Sequence, residues 1–162
     1  MMFSLLTGVA MVQTTILSSF NILGGQPNLM LLVVLMWTVV RGMQEGLVWA
    51  FVGGLILDLL SGGPLAGMAL AQVAAAFLAG QSLGQEVGSQ AVRVVILTVL
   101  GAIVYHLAVL IILNWSGYSV DWRFSLLRVA APSVVLNALL APLILPLLIW
   151  LERATGEEGL VL

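Results

Sequence analysis

Residues 46–60, GLVWAFVGGLILDLL, decide the class of fold. The stretch is apolar on every side and carries one charged side chain, Asp58. A helix that is apolar all round belongs inside a membrane or a large core, and a charge at the bilayer centre costs at least about 2.5 kcal/mol. Gly46, Ala50, Gly54 and Asp58 recur at every fourth residue, a stripe that drifts only slowly around a helix of 3.6 residues per turn. Lipid gives apolar helices no hydrophobic reason to associate, so small side chains mark the face where two backbones approach. The segment reads as a membrane helix whose one acid continues that face and points at protein.

Working outward, the 162 residues are 62% hydrophobic and only 7% charged. Their mean hydropathy of +1.19 lies outside the range in which a soluble domain keeps a polar surface. An apolar layer of about 30 Å takes roughly 20 helical residues to cross, so the chain predicts roughly six passes and a single integral membrane domain over residues 1–162. All five basic residues are Arg and the acids number seven. A net charge of -2 offers no electrostatic footprint for nucleic acid. Cysteine is absent, which removes disulfides and thiolate metal sites. Met1 to Thr7 lack the basic region of a cleaved signal and read as the start of a retained helix.

Charges, glycines and prolines punctuate the chain. Helix one is expected over residues 3–23, broken from helix two (27–40) at Gly24, Gly25, Gln26 and Pro27. After a polar turn at Arg41 to Glu45 come helix three (46–60), a stop at Ser61 to Pro64, helix four (65–84) and helix five (91–114). Trp115 to Ser125 form the longest polar interruption. The last apolar stretch, 126–151, carries Pro132, Pro142 and Pro146 and is expected to be kinked or broken. Helices two and three are short for a full crossing. Trp37, Trp115, Trp122 and Trp150 fall near predicted ends, at headgroup level. With a cytoplasmic N-terminus, Arg41, Arg93 and Arg153 lie inside against Arg123 and Arg128 outside, which places both termini in the cytoplasm.

The polar groups at depth carry the functional question. An acid within the membrane is by default an ion or proton site. Asp58 instead reads as a cap for the adjoining loop at Ser61 to Gly63, because it stands near a helix end with no second intramembrane carboxylate to relay a proton. Helix four repeats the small stripe as Gly67, Ala71, Ala75 and Ala79. Helices three and four are expected to pack together, leaving one small face to dock another transmembrane helix. Gln13, Thr14 and Ser18, then His106, then Ser133 and Asn137 read as buried groups that bond between helices. One His and no Cys cannot complete a zinc site. No serine has the strand-turn-helix setting of a nucleophile elbow. No catalytic, cofactor or metal residue is assigned.

Gln13 and Thr14, the Pro27-Asn28-Leu29 opening, Gly54, Leu55 and Asp58, then Pro64, Leu65, Ala69 and Leu70, and Asn137 follow one another along the chain. In their order the sequence resembles the MreD family, small bacterial membrane proteins of the rod-shape system, over nearly its whole length. The family often has Asp where Asn28 stands and Gly where Ala66 stands. The resemblance implies a non-enzymatic membrane subunit of the cell-elongation machinery. Its implied partners are an MreC-like bitopic protein and, through it, a RodA-type glycosyltransferase and a class B penicillin-binding protein. It also implies a fold similar to the substrate-binding subunits of energy-coupling-factor vitamin transporters, which supplies the alternative reading of a small-solute carrier. That alternative requires Gln13, Asn137 and Asp58 to converge on one cavity.

Overall fold

In the computed structural model, the described residues are 2–15, 25–62, 66–81 and 89–155. They form six helical segments and, among the described residues, no β-sheet. These are α1 (Met2–Thr15), α2 (Leu29–Arg41), α3 (Met43–Ser61), α4 (Gly67–Gly80), α5 (Gln90–Trp115) and α6 (residues 122–155). Three stretches are long and apolar enough to cross a membrane: Met43–Ser61, Ala91–Trp115 and Trp122–Leu151. Of the six helices expected to make roughly six passes, three have spanning length among the described residues. α2 and α4 fall short at 13 and 14 residues, whereas α3, expected to be short, has spanning length.

α2 is the centre of the bundle. Every residue from Met30 to Thr38 is buried, and α1, α3, α4, α5 and α6 all pack against it. At 1.5 Å per residue its 13 residues reach about 20 Å, well short of an apolar layer of about 30 Å. Its apolar-all-round sequence thus satisfies protein neighbours rather than lipid. The turn into α3 is one residue long: Gly42, at φ 97°, ends one helix and starts the next. A side chain there would be strained, which is why glycine occupies it. The predicted polar turn at Arg41 to Glu45 shrinks accordingly, and α3 gains a turn. Trp37 is buried, donates from Nε1 to Glu45 Oε2 at 3.3 Å and carries the Arg41 guanidinium over its ring. Protein rather than lipid therefore covers it.

The outer helices divide cleanly into two faces. On α6, Ser133, Asn137, Ala141, Leu145 and Leu148 point inward, while Val135, Leu139, Leu143, Leu147 and Trp150 are exposed. On α5, Ile96, Leu100, Ile103, Leu107 and Ile111 form the exposed stripe. Such outward apolar faces are the form a lipid-embedded bundle takes. α6 is not broken at its prolines: it runs as α-helix over Ala131–Thr155 with Pro142 and Pro146 inside. Its irregular part is the π-helical segment Ser125–Ala130, just ahead of Pro132. A proline ring presses on the carbonyl four residues back, here that of Arg128. The wider turn, in which the Ala131 N–H reaches the Leu126 carbonyl five residues back, gives that ring room.

Candidate functional site

The first turn of a helix leaves N–H groups with no partner in the helix itself. In water solvent completes them, but a helix that begins inside an apolar bundle must find acceptors from other elements. Both short helices begin this way.

α4 begins against Asp58. The side chain is 3% exposed; its Oδ1 accepts from Met68 N at 2.9 Å and its Oδ2 from Ala69 N at 3.1 Å. The carboxyl thus closes the start of the next helix, beyond the Ser61 to Gly63 turn named from sequence. Ser61 turns the other way and donates to the Asp58 carbonyl at 3.3 Å. The residue before α4, Ala66, sits at φ 67° and supplies no side-chain cap, so Asp58 acts in its place. A cavity of about 150 Å³ opens beside Asp58 and Ser61, walled by Gly67, Met68, Val109, Ile112 and Leu113.

α2 begins against its own N-cap and polar side chains from two other helices. Asn28 is its N-cap, with Oδ1 accepting from Leu31 N at 3.0 Å. Asn137 Oδ1, from α6, accepts from Asn28 N at 2.8 Å. Gln13 Oε1, from α1, accepts from Met30 N at 2.9 Å, and Ser133 Oγ accepts from Gln26 N at 3.2 Å. Gln13, Ser133 and Asn137 therefore meet around one helix start, some distance in sequence from all of their partners. The Asn137 amide is oriented by this bond, since the opposite assignment would set an N–H donor against the Asn28 N–H.

Two polar residues fall outside this layer. Thr14 is exposed and donates to the Ala10 carbonyl of its own helix at 2.9 Å. His106 is half-buried, with Nδ1 2.7 Å from the Ala102 carbonyl. Neither bonds between helices, which corrects the sequence reading: the carbonyl four residues back is available to a hydroxyl or imidazole without any neighbour. Ser18 lies outside the described residues.

Both small stripes are consumed within the chain. Gly46, Ala50, Gly54, Gly67, Ala71, Ala75 and Ala79 are all buried. A Cβ at Gly54 would run into the backbone of Ala69, and one at Gly46 into the Thr38 side chain of α2. Ala71, Ala75 and Ala79 pack with Leu31 and Leu35 of α2 and with Ala102 and Tyr105 of α5. Among the described residues neither stripe leaves the free face that the sequence reading expected to dock a partner.

Gln72 was missed by the sequence reading. It is fully buried in α4, and neither its Nε2 nor its Oε1 has a partner. A lone amide in the run Ala69 to Gly80 was the available signal. Unpaired, it costs about 1–3 kcal/mol. Gln72→Met, close in shape, is therefore expected to raise the unfolding temperature in detergent, while an unchanged or lower value would show that the amide has a partner. Among the described residues no group of three or more His, Asp or Glu side chains stands together.

A family model described as "MreD: rod shape-determining protein MreD" matches residues 1–154 of the 162. No curated protein and no solved structure matches the chain.

Proposed function

We propose a function from one premise, that the chain belongs to the MreD family of rod shape-determining proteins. In this reading it is a non-enzymatic subunit of the bacterial cell-elongation complex in the cytoplasmic membrane, with both termini in the cytoplasm. It holds the transmembrane helix of an MreC-like bitopic partner, and through that partner supports a RodA-type glycosyltransferase and a class B penicillin-binding protein in the control of cell shape. The family match over residues 1–154 is the observation that carries this reading.

The contact is assigned to the outer surface, because the small stripes are occupied. A groove of about 350 Å³ runs between α5 and α6, lined by Ile103, His106, Leu107, Ala130, Ala131 and Val134 among others. Two features favour a helix there. Ala130 and Ala131 lower the groove's floor, so a backbone can approach. A carbonyl only accepts, so the Ala102 bond puts the proton of a neutral His106 ring on Nδ1 and leaves Nε2 an acceptor. A Ser, Thr or Asn of the partner helix would supply its donor. The carrier reading is less favoured, since the oxygens of Gln13 and Asn137 face one helix start and those of Asp58 another. The cavity beside Asp58 does not include Gln13 or Asn137.

Ala131→Trp fills the groove from its exposed side without entering the core. It is expected to lose most of the co-purifying bitopic partner, and rod shape with it, at unchanged protein level and unfolding temperature. Full partner retention and full rescue of a rod-shape null strain would overturn the groove assignment, and failure of the wild-type chain to retain any bitopic partner would overturn the function itself.

A further inference from the structure

Outside the buried layer and the groove, two of the chain's five arginines come together at the opening of α6. Arg123 and Arg128, with Asp121, Phe124 and Leu127, line a cleft of about 360 Å³. In a regular α-helix residues five apart point to different sides, because neighbours on a face are three or four apart. The π-helical segment Ser125–Ala130 widens the turn and brings i and i+5 toward one side. Pro132 thus has a consequence at the surface: the turn that accommodates its ring also pairs two guanidiniums.

Asp121, in the same lining, offsets one of the two charges but forms an ion pair with neither arginine, and the cleft keeps a net positive charge. The Asp121 Oδ1 accepts from Phe124 N at 3.0 Å as the N-cap of this turn. Both arginines are exposed, and no ion pair among the described residues engages either of them. The other wall is apolar, with Phe124 59% and Leu127 62% exposed. Trp115, Tyr118 and Trp122, all exposed nearby in sequence, set this end of the bundle at the membrane–water boundary. A cleft with two guanidiniums on one side and hydrocarbon on the other matches an anionic phosphate joined to an apolar chain, since guanidinium is the preferred planar partner of phosphate oxygens.

We propose that the cleft formed by Arg123, Arg128, Phe124 and Leu127 binds the phosphate headgroup of an anionic membrane lipid. The phosphate lies between the two guanidiniums and the acyl chains descend along Phe124 and Leu127. Zwitterionic lipids fit less well, because their ammonium group would lie against the arginines.

The test uses the full-length protein in neutral detergent, with retained lipid counted by native mass spectrometry against added phosphatidylglycerol, phosphatidylcholine or inorganic phosphate. Wild type is expected to retain phosphatidylglycerol over phosphatidylcholine. The R123Q/R128Q variant should bind it at least about tenfold more weakly, a loss on the scale of one or two charge-assisted contacts. The charge-matched variant R41Q/R153Q should bind as wild type does. Equal weakening in both double variants would reduce the effect to general charge attraction and overturn the site. Equal retention by R123Q/R128Q and wild type would also overturn it. Displacement of the lipid by inorganic phosphate at matched concentration would show a free-phosphate site and defeat the lipid assignment; no displacement supports it.

Discussion

Gly54→Leu is expected to remove the folded protein from the membrane rather than to release a partner. The position is where α3 and α4 come closest: even a single Cβ there would overlap the Cα and N of Ala69. Overpacking ordinarily costs about 1–3 kcal/mol because side chains move aside. Here the obstacle is backbone, held in turn by the bond from Ala69 N to Asp58, so the cost should exceed that range. Gly8→Leu is the control, since nothing lies within 4 Å of a Cβ built there. The measurement is protein level and unfolding temperature in detergent. Accumulation of Gly54→Leu at the level of Gly8→Leu would contradict the packing described for α3 and α4.

Asp58 should show the next largest effect, and in a defined order. Its two oxygens serve two N–H groups at the start of α4. Leu offers neither acceptor, and a buried donor left unpaired costs about 1–3 kcal/mol, so Asp58→Leu should cost about 2–6 kcal/mol. Asn offers one oxygen and turns its NH₂ toward the second N–H. Asp58→Asn should therefore fall between, at about 1–3 kcal/mol, rather than being tolerated as a loop cap would be. Thermal unfolding of the three proteins side by side gives the order. Equal damage by Asn and Leu would show that charge, and not the number of acceptors, is what the site requires.

Some of this was readable from residues alone and some could not be. The four-residue spacing of Gly46, Ala50, Gly54 and Asp58 marked an inward face, because spacing alone sets helical direction. What that face meets is a tertiary fact: α2 and α4 take up the α3 stripe, and α2 and α5 take up the α4 stripe. α2 is apolar on all sides, and that pattern is the same whether a helix is wrapped by lipid or by five other helices. The end of α4 at Gly80, four residues ahead of the expected Gly84, was signalled by the polar Gln81 and Ser82. Thr14 and His106 were misread because a polar side chain can be satisfied by its own helix as well as by a neighbour. At the two positions where the chain departs from the family pattern, the backbone supplies the reason. Asn28 is an N-cap, a role Asn and Asp fill about equally. Ala66 stands at positive φ, where glycine would be free of strain.

Gln13, Asn28, Asp58 and Asn137 thus cap helices that start inside the bundle, and the proposed function assigns contact with other proteins to the outer faces. Photo-crosslinking in living cells tests that division most directly. A photoreactive side chain is placed at Leu107 or Val135, exposed on the α5–α6 groove, and in parallel at Ala75, fully buried between α4, α2 and α5. The expected result is capture of the bitopic MreC-like partner from Leu107 and Val135 and none from Ala75. Capture from Ala75 with none from the groove would contradict the account.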